Sequence, residues 1–217
     1  MDKEYAKKVS DFNQWIKENG VQSMQIEYPA IFTNKDGYNY PGIVAREDIP
    51  PYSIIVKVPS HIILNTQTAY NSELNPLFKL YPEVFSPCAA AWEDYTLISY
   101  IMYSMAMGDK SKWHYMIDLW PKKEDLNVFY LWSDKEIKET QSIRVIKDNL
   151  HENKCLRDSW SNLGIILNKY PQLFPCKYAT YDNYLWLWAL LASRIFNSYI
   201  STTAFTPYAE YVNHENV

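Results

Sequence analysis

Tyr40-Pro41-Gly42-Ile43-Val44-Ala45-Arg46-Glu47-Asp48-Ile49 is the stretch whose reading decides the fold class. A glycine opens a short β-branched run, and Asp48-Ile49-Pro50-Pro51 breaks it, which reads as a brief strand ended by a turn. Upstream, Ile31-Phe32-Thr33, Asn34-Lys35-Asp36-Gly37 and Tyr38-Asn39-Tyr40 read as strand, turn and strand, with the Asp-Gly pair supplying the turn chemistry. Downstream, Ser53-Ile54-Ile55-Val56-Lys57-Val58 and His61-Ile62-Ile63-Leu64 predict two further short strands. These are small, turn-linked strands with one hydrophobic face, not parallel βαβ units.

Outside this β segment the period is helical. Tyr5, Val9, Phe12 and Ile16 form an amphipathic stripe that predicts an opening helix stopped by Gly20. Leu97, Ile101, Ser104 and Met105 share one face of a helix over 93–108, with Gly108 as its stop. Ser111 caps a short helix through Met116. Ser133 stands three residues before Glu136, a capping-box spacing. Ile143, Ile146, Leu150, Leu156, Trp160, Leu163 and Leu167 predict a long helix over 142–170, and 181–199 reads as another. The tail after Ser201 reads as irregular. The class is α+β.

The 217 residues suffice for one elaborated domain with a sizeable core. A net charge of -4 and a pI near 5.6 argue against binding nucleic acid through a basic face. Only Gly20, Gly37, Gly42, Gly108 and Gly164 are present, so a Walker loop or dinucleotide fingerprint is excluded. Cys88, Cys155 and Cys176 form no C-x-x-C pair, and their odd number forbids full internal pairing; free thiols in a reducing compartment are expected. The isolated His61, His114 and His151 share no metal-ligand spacing, so no metal is expected. The charged N-terminus lacks an apolar signal core, and the apolar runs 95–108 and 183–193 fall short of the ~18–20 residues a membrane span needs. A protein of the cytoplasm or nucleus, without a membrane partner, is the expectation. Lys122-Lys123-Glu124-Asp125 reads as a solvated charge run. Trp113, Tyr115 and the Trp186-Leu187-Trp188 stretch read as packing.

Four patterns in order resemble one family: the 40–49 stretch, Ser111-Lys112-Trp113-His114-Tyr115-Met116, Ser193-Arg194-Ile195-Phe196, and Pro207-Tyr208-Ala209-Glu210-Tyr211-Val212-Asn213-His214. Together they resemble the SET-domain methyltransferases, in the branch of the Rubisco large-subunit and actin-histidine methyltransferases. The resemblance implies a small SET-type β unit with a large helical insert. Its parts would be an N-terminal helix (1–21), a first β half (22–65), the insert (66–200) and the start of a second half (201–217). It implies S-adenosylmethionine as cofactor and a lysine or histidine nitrogen of a protein substrate as methyl acceptor.

The resemblance also implies site roles. Asn213 and His214 match the pair that holds the cofactor, Arg194 matches the arginine that meets its carboxylate, and Gly42 and Ile43 match the turn that passes its methionine portion. These residue types suit a zwitterion. A guanidinium fork matches a carboxylate, an asparagine oxygen accepts from an ammonium, and a glycine lets the backbone approach closely. Tyr40-Pro41 departs from the family, which carries a Glu or similar polar residue there. The family's catalytic tyrosine falls beyond Val217, so no catalytic residue is assigned and the fold is expected to be incomplete at the C-terminus. The alternative is a catalytically incomplete SET-like interaction or scaffold module within a larger protein assembly, docking its partner through the Tyr- and Trp-rich helices.

Overall fold

The structure is a computed structural model that describes residues 3–23, 25–33, 37, 39–195 and 202–212. Helix α1 (Lys3–Glu18) buries Val9, Phe12 and Ile16 of the predicted stripe together with Trp15, leaves Tyr5 half-buried, and the chain turns away at Gly20, whose φ of +79° suits glycine. Strand β1 (Gln22–Ser23) follows, then β2 (Ile26–Thr33), β3 (Asn39–Ala45), β4 (Val56–Lys57) and β5 (Leu64–Asn65). The helical block comprises α2 (Thr66–Tyr70), α3 (Asn75–Leu80), α4 (Pro82–Phe85), α5 (Trp92–Met107), α6 (His114–Ile117), α7 (Asp134–Glu139), α8 (Ile143–Leu167) and α9 (Tyr181–Arg194). A last strand, β6 (Ala204–Phe205), precedes a 3-10 turn at Ala209–Tyr211.

The strands form three antiparallel pairs: β1 with β4, β2 with β3, and β5 with β6. In the largest, Ala30 faces Gly42 and Phe32 faces Tyr40. The β5–β6 pair matters most for function, because it clips the tail onto a distant part of the chain, Leu64 against Phe205. Helix α5 buries Thr96, Leu97, Ile98, Ser99, Tyr100, Ile101, Met102 and Ser104, so its cover is nearly all round; it is the central helix of the block. One continuous core runs from Phe12 of α1 through α5 and α9 to Tyr211.

Several sequence expectations are corrected. The run 53–58 is a strand only at Val56–Lys57; Tyr52 has φ 65° and Ile54 and Ile55 are exposed, because among the described residues no neighbouring strand offers them a ladder. At 61–64 the chain makes a 3-10 turn, Ser60–Ile62, before the two-residue β5. The Ser111 hydroxyl does accept an N–H, from Trp113 at 3.3 Å, but the helix begins only at His114. Helix α8 starts after its Ser142 cap as expected, yet Ile143 and Leu150 lie in solvent. That half rests on the 129–131 turn through Asn149 Nδ2, which donates to the Phe129 carbonyl at 2.7 Å, and only Leu156, Leu163, Ile166 and Leu167 reach the core. Helix α9 ends at Arg194, where Ile195 turns extended. The tail, expected to be irregular, contains β6 and the 209–211 turn. The capping box at Ser133 and Glu136 is present in full.

Candidate functional site

The site is built where the end of α9 meets the returning tail. The tail is tied down by side chains. Thr202 Oγ1 donates to Thr66 Oγ1 at 3.1 Å, and the N–H and hydroxyl of Thr203 both donate to Glu93 Oε2, at 3.3 and 3.2 Å. At Tyr208 the backbone takes a positive φ of 68°, and the Tyr208 hydroxyl donates to Asn13 Oδ1 of α1 at 3.2 Å. This turn drives Tyr208 and Tyr211 into an aromatic cluster with Phe12 and Tyr28; the Tyr28 and Tyr211 rings lie 4.4 Å apart between centroids.

Arg194, the last residue of α9, crosses to this turn. Its Nη1 donates to the Glu210 carbonyl at 3.2 Å, and its guanidinium lies 5.6 Å from the Tyr211 ring centroid, within cation–π reach. Its Nε is buried and, among the described residues, without a partner. Glu210 is 5% exposed, a charge-bearing side chain inside the core. Trp120 Nε1 donates to its Oε2 at 2.9 Å, while Oε1 is buried and has no partner among the described residues. Burial pushes the Glu210 carboxyl up to about 7, with Arg194 and the Trp120 hydrogen bond acting the other way. Burial first, then the neighbouring Glu210, holds the Tyr211 hydroxyl far above the ordinary tyrosine range.

A cleft of about 700 Å³ opens onto this corner. Arg194, Tyr211 and Trp120 line it together with Tyr5 of α1, and Asn39, Tyr40 and Pro41 of β3 form the facing wall. That size falls in the ~300–1,000 Å³ range usual for cofactor sites. An orphaned guanidinium donor beside a cleft suits a ligand carboxylate, and the aromatic rings suit an apolar body.

Of the residues expected from sequence, Arg194 lines the cleft. Gly42 is buried in β3 opposite Ala30 and Ile43 is half-buried beside it; their predecessors 39–41 make the wall instead. Asn213 and His214 lie outside the described residues. The charge run at 122–125 is more than a solvated face: Lys122 and Asp125 line the cleft, and Lys123 is ion-paired with Asp182 of α9. Glu210 and Trp120 were missed. The one legible signal was an acid set among Ala209, Tyr211 and Val212, since an acidic side chain in an apolar run is a candidate buried charge. Trp113 is a packing residue as expected, fully buried with its Nε1 donating to the Tyr100 hydroxyl at 3.0 Å. Trp186 donates to the Pro121 carbonyl at 2.9 Å. All three cysteines are exposed free thiols.

No family model matches the chain. Curated relatives do. The chain is 23% identical over 216 residues to the chloroplastic fructose-bisphosphate aldolase-lysine N-methyltransferase of Arabidopsis thaliana, covering 97% of this chain and 40% of the relative. It is 24% identical to the Rubisco large-subunit N-methyltransferase of Nicotiana tabacum over 99% of this chain and 40% of the relative. An actin-histidine N-methyltransferase from Canis lupus familiaris is 23% identical over 85% of this chain and 30% of its own length. The chain thus spans about 40% of the first two relatives. Among solved structures, Rubisco large-subunit methyltransferase bound to sinefungin and monomethyllysine superposes with a TM-score of 0.76 at 22% identity, covering 96% of this chain and 45% of that one. The SET domain of that enzyme with lysine and S-adenosylhomocysteine gives 0.78 at 21% identity, over 97% and 44%. The chain has the SET-domain fold, and in sequence along most of its length it is similar to the SET-domain N-methyltransferases of the Rubisco large-subunit and actin-histidine kind.

Proposed function

We propose that this chain forms the cofactor-binding part of a SET-type protein N-methyltransferase, with S-adenosylmethionine in the cleft at the end of α9 and a lysine or histidine side chain of a protein as acceptor. The observation that carries the reading is Arg194. It ends α9 at the cleft, with its Nε unpartnered and its Nη1 anchored on the Glu210 carbonyl. A fixed guanidinium at the edge of a cleft is a ready partner for the cofactor's carboxylate.

When bound, S-adenosylmethionine supplies an electrophilic methyl group on a sulfonium. The work left to the protein is positioning and exclusion of water. Arg194 orients the carboxylate end. Tyr5, Trp120 and Tyr211 offer apolar faces that keep the cleft wall dry. The wall at 39–41 brings backbone close to the ligand, although Pro41 offers no N–H there. Gly42, Ile43, Asn213 and His214 are proposed to complete the cofactor contacts, as the resemblance implies.

Thermal unfolding in the presence of S-adenosylmethionine tests the reading. Ligand at 100 times its dissociation constant adds about 2.7 kcal/mol of stability, and Arg194→Ala removes the shift. An absent shift in the wild-type protein sinks the cofactor reading and favours the docking module.

A further inference from the structure

Glu210 is a buried acid that the cofactor reading leaves without a task. It is not part of the cleft wall, yet its backbone carbonyl accepts from Arg194, the residue on which that reading rests. Its two carboxylate oxygens differ. One is held by the Trp120 indole at 2.9 Å; the other has no partner. Leaving a buried acceptor open is unfavourable, and an ionised one more so. Simple packing would place a leucine or glutamine here.

The groups facing this carboxyl come from four elements. Arg194 comes from α9 and brings the positive charge; Trp120 comes from the segment after α6; Tyr28 comes from β2, with Tyr5 of α1 beyond it; Tyr211 is its own neighbour. The tyrosine hydroxyls are all raised by burial and stay neutral in the ordinary range. The opposite charges nearest each other in this corner are Glu210 and the always cationic Arg194, while Glu4, Lys8, Asp118, Lys122 and Asp125 line the adjoining cleft.

We infer that Glu210 is the positioning residue of Arg194: anchored by the Trp120 indole, its carboxyl gains or loses a proton to set how much of the guanidinium's positive charge is left for the cleft, which makes uptake of a carboxylate-bearing ligand proton-linked. With Glu210 protonated, Arg194 presents its full charge. With Glu210 ionised, an incoming carboxylate also meets the repulsion of a second anion near the guanidinium. By reciprocity, a bound carboxylate strengthens the proton on Glu210. The titration of this group falls near neutrality, where such a linkage has consequences. The inference rests on the cofactor reading for its ligand, and on Trp120, Glu210 and Arg194 for its mechanism.

Calorimetric titration with S-adenosylhomocysteine, which carries the carboxylate, and with 5′-methylthioadenosine, which lacks it, tests the inference. Between about pH 6 and about pH 8.5, wild-type affinity for S-adenosylhomocysteine is expected to fall by about fivefold or more, the lower end of typical site–site coupling. The affinity for methylthioadenosine stays level. Glu210→Gln binds S-adenosylhomocysteine with no such fall. A level wild-type profile, or an unchanged slope in Glu210→Gln, overturns the inference. A second measurement needs no ligand: the carboxyl-carbon resonance of Glu210, followed against pH by NMR. Its midpoint is expected to rise in Arg194→Ala and in Trp120→Phe. If neither moves it, the positioning role is wrong. If both move it while S-adenosylhomocysteine fails to bind, the role stands and the cofactor reading falls.

Discussion

Two tryptophans, seven residues apart in sequence, each bury an indole N–H against a polar partner, and the two places behave differently. Trp113 Nε1 donates to the Tyr100 hydroxyl at 3.0 Å inside the helical block. Both partners are neutral, and Trp113 is completely buried. Trp120 Nε1 donates to Glu210 at 2.9 Å, and there the partner is an acid with its other oxygen open, next to an arginine at a cleft. The first pair closes its hydrogen bonds and is finished. The second leaves a carboxylate oxygen and a guanidinium N–H unsatisfied within the same corner. A fold tolerates such open valences at about 1–3 kcal/mol each, and they concentrate where a ligand or proton completes them.

The comparison can be broken in order of effect. Trp113→Ala should cost about 3–5 kcal/mol, the usual loss for a fully buried large aromatic, read by urea unfolding, and should leave the pH dependence of stability unchanged. Glu210→Gln should do the opposite. A carboxyl whose pKa is raised on folding, here from 4.5 to about 7, favours the folded state while protonated. Stability is full below the unfolded value, falls as pH rises through the folded value, and is level above it. The Gln variant lacks that fall. It should therefore exceed wild type near pH 8 by up to roughly 3 kcal/mol, seen as a higher melting temperature. Asp94, raised to about 6 by burial and then by Glu93, titrates in the same direction and leaves a residual slope at lower pH. If Glu210→Gln melts lower than wild type near pH 8, the contrast between the two tryptophan corners fails.

Trp120→Phe keeps most of the ring and removes only the N–H. It should destabilise by about 1–3 kcal/mol when Glu210 is ionised and by less when it is protonated. The same cost at pH 5 and pH 8 would make Trp120 an ordinary packing residue like Trp113. The smallest effect is Ser133→Ala. Loss of the capping box at α7 should cost about 1 kcal/mol without altering ligand binding, a control from outside both corners.

Much of the fold was legible because it rests on local chemistry. The stripe of α1, the Ser133 capping box and the β2–β3 pair follow from residues near one another in the chain. The errors share one cause. Ser53-Ile54-Ile55 has strand-forming residues but no ladder to join, and Ile143 and Leu150 sit in helical register on a face that nothing covers. Burial depends on what lies opposite, and periodicity does not say that. In the site, Arg194 was found through its motif. Glu210 and Trp120 were not, because their meeting spans 90 positions of sequence.

Local chemistry in the chain is enough for the α+β class, a small β unit followed by a helical block, the SET resemblance and the arginine of the Ser193-Arg194-Ile195-Phe196 motif. Helix periods, caps and short motifs are set by neighbours in the chain, so they can be read from it. Only the tertiary structure decided which wall faces that arginine, residues 39–41, and which acid stands beside it. Those facts depend on the β5–β6 clip, on the Thr203–Glu93 contacts and on the turn at Tyr208. A carboxyl acquires its proton affinity from burial and from the charge next to it, and both come into being only when distant segments pack together.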